Sequence, residues 1–184
     1  MEIWYTLTGT IDPKVVNDSI YWINGQLYSH PVKKLLFIIS STGGDIDSSI
    51  RLHDYLESLP IEVTTCGFGQ VDSAAINVFI AGNNRLCLPT CRFRIHAGSF
   101  HLSDKATAIE HIEEAAGFLK EMDRRSNEIL AQKTGKTIPE VFQLKKSGLM
   151  ISGADAVNLK IATQLIDKLP LTQQTSSKPL ASNA

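Results

Sequence analysis

Hydrophobic positions fall along the chain in short blocks that switch between two periods. Ile3 to Leu7 is a run of apolar and β-branched residues ended by Gly9, which predicts a short strand. Asp12-Pro13 then offers a helix start, a capping side chain followed by proline at the first helical position. Val16, Ile20, Ile23 and Leu27 continue at helical spacing, so the helix is expected to reach about Tyr28. Leu35 to Ile39 is continuously apolar, as in a strand covered on both faces of a parallel sheet. After Gly43-Gly44, a second helix is predicted with Ile46, Ile50, His53 and Leu56 on one face. Ile61 to Cys66 reads as a further strand, and Ser73 to Ala81, apolar with small residues, as a buried helix. Leu86–Leu88 and Cys91–Ile95 complete the strands. Strands alternating with helices predict an α/β fold with right-handed crossovers. No internal repeat is visible.

One segment is long. Ser103 to Lys133 is helical in composition, with an apolar stripe at Ile109, Ile112, Ala116, Leu119, Met122 and Ile129. Thirty residues of helix span about 45 Å. A globule of 184 residues has a radius of gyration of about 16 Å, hence a diameter near 40 Å. The helix is therefore expected to project and to pack against another copy of the chain. Residues 1–170 are expected to form one domain, and residues 171–184, polar and serine-rich, a disordered tail.

Composition narrows the class. The chain is 43% hydrophobic and 20% charged, and a net charge of −1 gives no basic excess for nucleic acid. No apolar run is long enough to cross a bilayer, and Met1-Glu2-Ile3-Trp4 leads into structure without a signal-peptide pattern. Three cysteines (Cys66, Cys87, Cys91), an odd number, fit a reducing cytoplasm. Cys87-x-x-x-Cys91 followed by His96 matches no common zinc spacing, and the cysteines sit in apolar runs. Neither a metal nor a cofactor is expected.

Three features carry chemistry. Ser41-Thr42-Gly43-Gly44 follows a buried strand, where parallel sheets place their ligands. Two glycines there let backbone N–H groups approach a substrate oxygen, although strand-to-helix turns use Gly-Gly for steric reasons too. Ser73 follows a strand and a glycine turn and opens an apolar helix, with the Ala74 N–H beside it as an oxyanion donor. Serine is equally a common helix N-cap. His96 ends the strand Cys91–Ile95 and has the titration range of a general base. His30, His53, His101 and His111 have no motif around them.

In this order and at these spacings, the features resemble the proteolytic subunit of the Clp protease, a serine peptidase of the crotonase-like superfamily. The likeness runs from about Ile3 to Leu169. Leu7-Thr8-Gly9 resembles the family's first strand and turn, and Ser41-Thr42-Gly43-Gly44 its Ser-Pro-Gly-Gly turn. Gly69-x-x-x-Ser73 stands where the family has its nucleophile, and Leu88-Pro89 and Arg94-Ile95-His96 where it has Leu-Pro and the catalytic histidine. The long helix, about 103–133, falls on the handle that interlocks two rings, and Lys133-Thr134-Gly135 on the turn after it. The resemblance implies repeated β-β-α units with a projecting handle helix. It also implies Ser73 and His96 as catalytic residues, Gly44 and Ala74 as oxyanion donors, peptide or protein substrates, and self-association into rings.

The sequence departs from the family at identifiable points. The triad aspartate stands four residues before the serine of a Phe-Leu-Ser-Ala segment; here that segment is Met150-Ile151-Ser152-Gly153, and the position is Gly148. Ser147 and Leu149 beside it offer no carboxylate. Loss of the third member can cost about 10⁴ in rate. Asp72, where the family has alanine, is a candidate substitute and equally suits the dipole of the following helix. The chain opens almost on the first strand, so the family's axial loops are expected to be absent. Leu36–Ile39 carries Phe37 and no tyrosine, which speaks against docking of a Clp ATPase. Three readings follow: a serine endopeptidase, a silent subunit that assembles with an active Clp paralogue, and a crotonase-type acyl-CoA enzyme. The last has no need of the Ser73–His96 pair.

Overall fold

The computed structural model describes residues 1–99 and 108–171. All but the first residue of the expected tail at 171–184, together with His101 and the start of the long helix at 103–107, lie outside them. Strand β1 (Glu2–Ile11) leads through helix α1 (Pro13–Ser29) to β2 (Lys34–Gly44), and α2 (Ile46–Ser58) leads to β3 (Glu62–Asp72). A short α3 (Ala75–Phe79) connects to β4 (Asn84–Cys87) and β5 (Arg92–Arg94). Then follow α4 (Ile109–Thr134), α5 (Ile138–Lys146), β6 (Met150–Ser152), α6 (Gly153–Asn158) and β7 (Gln164–Leu165).

The sheet runs β1-β2-β3-β4-β7, all parallel. On its side away from β2, β3 serves two further partners: Thr64–Gly67 pair with β4, and Gln70–Asp72 pair with β5. β5 in turn pairs antiparallel with β6. The sheet therefore forks at the carboxyl end of β3, where the chemical residues gather.

The capping chemistry read from the sequence holds. The Asp12 carboxylate accepts from the Val15 N–H, with Pro13 in the first turn of α1. The strands, however, run past the apolar blocks. β1 continues beyond Gly9, whose φ of +83° accommodates a register shift between Thr8 and Thr10. β2 continues beyond Ile39 because its polar residues are satisfied within the sheet: buried Ser41 donates to the Gly9 carbonyl and accepts from the Gly43 N–H. The Gly43-Gly44 turn expected before α2 is thus the end of a strand paired with β1. The predicted helix Ser73–Ala81 shortens to Ala75–Phe79, and α5, β6, α6 and β7 have no counterpart among the elements that the hydrophobic pattern predicts.

Phe37, Phe79 and Phe93 are fully buried at the centre of the core, the last two in an edge contact at 5.2 Å. The three cysteines are buried and unbridged. Burial pushes the Cys66 and Cys87 thiols up to about 11 and Cys91 to about 12, so they remain protonated core residues. α4 has two unlike halves. Met122, Ser126, Asn127, Leu130 and Thr134 are buried, whereas Ile109 and Phe118 are 69% and 56% exposed. Among the described residues no helix is long and apolar enough to cross a membrane.

Candidate active site

Ser73 is the first of the two residues between β3 and α3. Its φ is +57°, a left-handed conformation that costs a non-glycine residue strain and is held only by surrounding structure. That structure is on hand: the Ser73 N–H donates to the Arg94 carbonyl at 2.8 Å, tying it to β5. Gly43 approaches from the other side, so closely that a Cβ there would lie 2.7 Å from the Ser73 Cβ and 2.6 Å from the Asp72 carbonyl oxygen. Gly44 is packed as tightly on β1, where a Cβ would meet the Ile11 carbonyl at 2.2 Å. Both glycines are sterically required. The alternative reading of Ser73 as a helix cap fails, because the cap residue of α3 is Ala74 and carries no side-chain capping bond.

His96 follows β5 and is partly exposed. The Ile95 N–H donates to the Leu149 carbonyl, which extends the β5–β6 contact to the residue after Gly148. Gly148 is itself left-handed (φ +64°), with open space where a Cβ would point. No carboxylate bonds His96 among the described residues; its Nδ1 lies 2.7 Å from the Ala97 carbonyl oxygen. A carbonyl can only accept, so Nδ1 is the donor, and in the neutral ring the lone pair then falls on Nε2.

Ser73, Ala74, Gly44 and His96 line one cavity of about 310 Å³. The structure thus brings together the four residues singled out in the sequence. Asp72 is not part of the group. It is buried and its carboxylate accepts from Arg92 at 2.7 Å, so it neither opens a helix nor orients His96. Its other oxygen, Oδ1, is buried without a partner among the described residues.

The same cavity is walled by four residues that the sequence did not single out: Asn77 on α3, Asp123 and Ser126 on α4, and Lys145 on α5. Asp123 accepts from the Gly98 N–H, two residues beyond His96, at 3.2 Å. Lys145 donates to Asp123 and to Ser126. Burial lowers the Lys145 pKa against the opposing pull of Asp123. Asn77 alone carried a sequence signal, as the polar residue inside an apolar block. His53, without a motif in the sequence, is buried behind it, with Nδ1 on the Asn77 carbonyl and Nε2 on Glu57. Among the described residues no cluster of histidine, cysteine or acidic side chains could hold a metal ion.

Comparison with solved structures places the fold. A point mutant of ClpP1 from Listeria monocytogenes superposes with a TM-score of 0.80 over 90% of this chain and 91% of its own, at 22% identity. A family model described as Clp protease matches residues 6–169. With a mixed α/β sheet and a sequence match over most of its length, the chain belongs to the Clp protease family.

Proposed function

We propose that this member of the Clp protease family is a serine endopeptidase in which Ser73 is the nucleophile and His96 the general base. The observation that carries the reading is Ser73 itself, held left-handed at a strand end, not capping a helix, and sharing a cavity with His96. A strained strand-to-helix turn is how serine hydrolases project a hydroxyl from a sheet. The His96 tautomer suits the role, since Nε2 is left free to take the Ser73 proton. The Ala74 and Gly44 N–H groups are the candidate donors to the developing oxyanion. A peptide carbonyl would acylate Ser73, His96 would pass the proton to the leaving amine, and water would then release the acyl group.

The carbonyl of Ala97 differs from a triad carboxylate in one respect. It fixes the tautomer but, being neutral, does little to stabilise the imidazolium formed as the proton moves. Slow hydrolysis follows, which keeps a second reading, a structural subunit assembled with an active paralogue. The exposed Ile109 and Phe118 support self-association through α4, in rings of the family type. Three protonated thiols fit the reducing cytoplasm.

Labelling with a fluorophosphonate tests the reading. The wild type is expected to react at Ser73, and Ser73→Ala to lose the label with its assembly unchanged; a label that survives the substitution refutes the nucleophile. Sedimentation should show an oligomer, against which a lone 20.2 kDa species would count.

A further inference from the structure

The wall of the Ser73 cavity formed by α3, α4 and α5 carries one internally bonded polar group, set among the apolar Ile76, Phe118, Leu119 and Leu130. Ser126 Oγ donates to Asn77 Oδ1 at 2.8 Å, and Asn77 Nδ2 donates to Ser49 Oγ at 3.0 Å. Lys145 Nζ donates to Ser126 Oγ at 2.8 Å and to Asp123 Oδ1 at 3.3 Å. The Lys145 side chain is 8% exposed and that of Asp123 25%, so the ion pair is itself poorly solvated where it lines the cavity. An ammonium has three donors, and two of those on Lys145 have partners among the described residues. Asp123 Oδ2 accepts there from the Gly98 N–H and retains a second lone pair. The cavity therefore offers one donor and one acceptor side by side.

Resting on the peptidase reading above, we propose that this wall selects the side chain of the residue whose carbonyl acylates Ser73, and that it selects a carboxamide, glutamine or asparagine. The amide oxygen accepts from Lys145 Nζ while the amide nitrogen donates to Asp123 Oδ2. An apolar side chain would strip water from the ion pair and return no hydrogen bond. A carboxylate would meet Asp123 and an ammonium would meet Lys145, each a like-charge contact in a poorly solvated space. The carboxamide alone satisfies both partners without adding charge.

Binding of product peptides measures this without turnover. N-acetylated tripeptides with two alanines and a carboxyl-terminal glutamine, leucine, glutamate or lysine are titrated calorimetrically into the wild-type protein and into Lys145→Met and Asp123→Asn. The glutamine peptide is expected to bind the wild type at least about tenfold tighter than the leucine peptide. Lys145→Met should bring the two to parity or reverse them, and Asp123→Asn should narrow the gap. Leucine, glutamate or lysine ranking first in the wild type overturns the inference, as does failure of all four peptides to bind. The ranking in the wild type decides even if a variant does not fold. A fluorophosphonate, which carries no such side chain, reports separately on the peptidase reading, so the two can fail independently.

Discussion

The two strand ends that frame the cavity are built with unequal rigour. At the end of β3, Ser73 is fixed from three directions: by the Arg94 carbonyl, by Gly43 against its Cβ, and by fully buried residues of α3 behind it. At the end of β5, the ring of His96 is held by the neighbouring carbonyl of Ala97, and Gly148, where the family carries its triad aspartate, has open space where a Cβ would point. The proposed nucleophile is preorganised, and the proposed base is oriented by a weaker device. Electrostatic and geometric preparation are separable, and this molecule holds more of the second than of the first.

Four substitutions test that contrast. Ser73→Ala should have the largest effect, loss of all peptide hydrolysis above background, read with a fluorogenic peptide. Were its activity to match the wild type, the well-built end would not be the reacting one. His96→Ala should cost less, on the order of 10²–10⁴, the range of general acid–base assistance. A loss as large as that of Ser73→Ala would show that His96 is held better than its neighbours suggest.

Gly148→Asp should move activity upward, by one order of magnitude or more, because a carboxylate at the family's triad position stabilises the imidazolium. Gly148 is left-handed, so the aspartate brings about 1–2 kcal/mol of strain, visible as a lower melting temperature. A folded variant with unchanged turnover would mean that Nδ1 is already saturated by Ala97. The smallest effect belongs to the strain at Ser73. Ser73→Gly should be more stable than Ser73→Ala by roughly 1 kcal/mol in denaturant titrations, since glycine adopts φ +57° without penalty. Equal stabilities would mean that the elbow holds no strain.

α4 repeats the contrast on a larger scale. Its carboxyl-terminal half is buried on the core and tied to α2 by Arg125 to Asp47 and Asp54 and by Lys133 to Glu57. Its amino-terminal half keeps the same apolar spacing but leaves Ile109 of the stripe in solvent and Ile112, Ala116 and Leu119 half-buried, with Phe118 exposed beside them. Periodicity told of one stripe. It could not tell which part of the stripe the subunit itself would cover.

Local physics wrote much of the molecule into its sequence. The apolar blocks Leu35–Ile39 and Ile61–Cys66, the Asp12-Pro13 start and the long helix are legible because burial, capping and periodicity act over a few residues. Ser73 and His96 were legible because each sits at a strand end with a recognisable neighbourhood. Strand lengths were not, because Ser40 to Gly44 remain in β2 through hydrogen bonds to a strand about thirty residues away. The small carboxyl-terminal elements were not either: β6 has three residues and β7 two, too few for a period to show.

What tertiary structure alone decided is which side chains share a cavity. Asn77, Asp123, Ser126 and Lys145 come from three helices and look like ordinary polar positions in the sequence. Asp72, adjacent to Ser73 in the chain, is turned away to Arg92, while Asp123, fifty residues on, bonds the Gly98 N–H just past His96. Sequence proximity fixes backbone order; the pleat of a strand and the packing angle of a helix fix where a side chain points, and those are set by contacts distant along the chain.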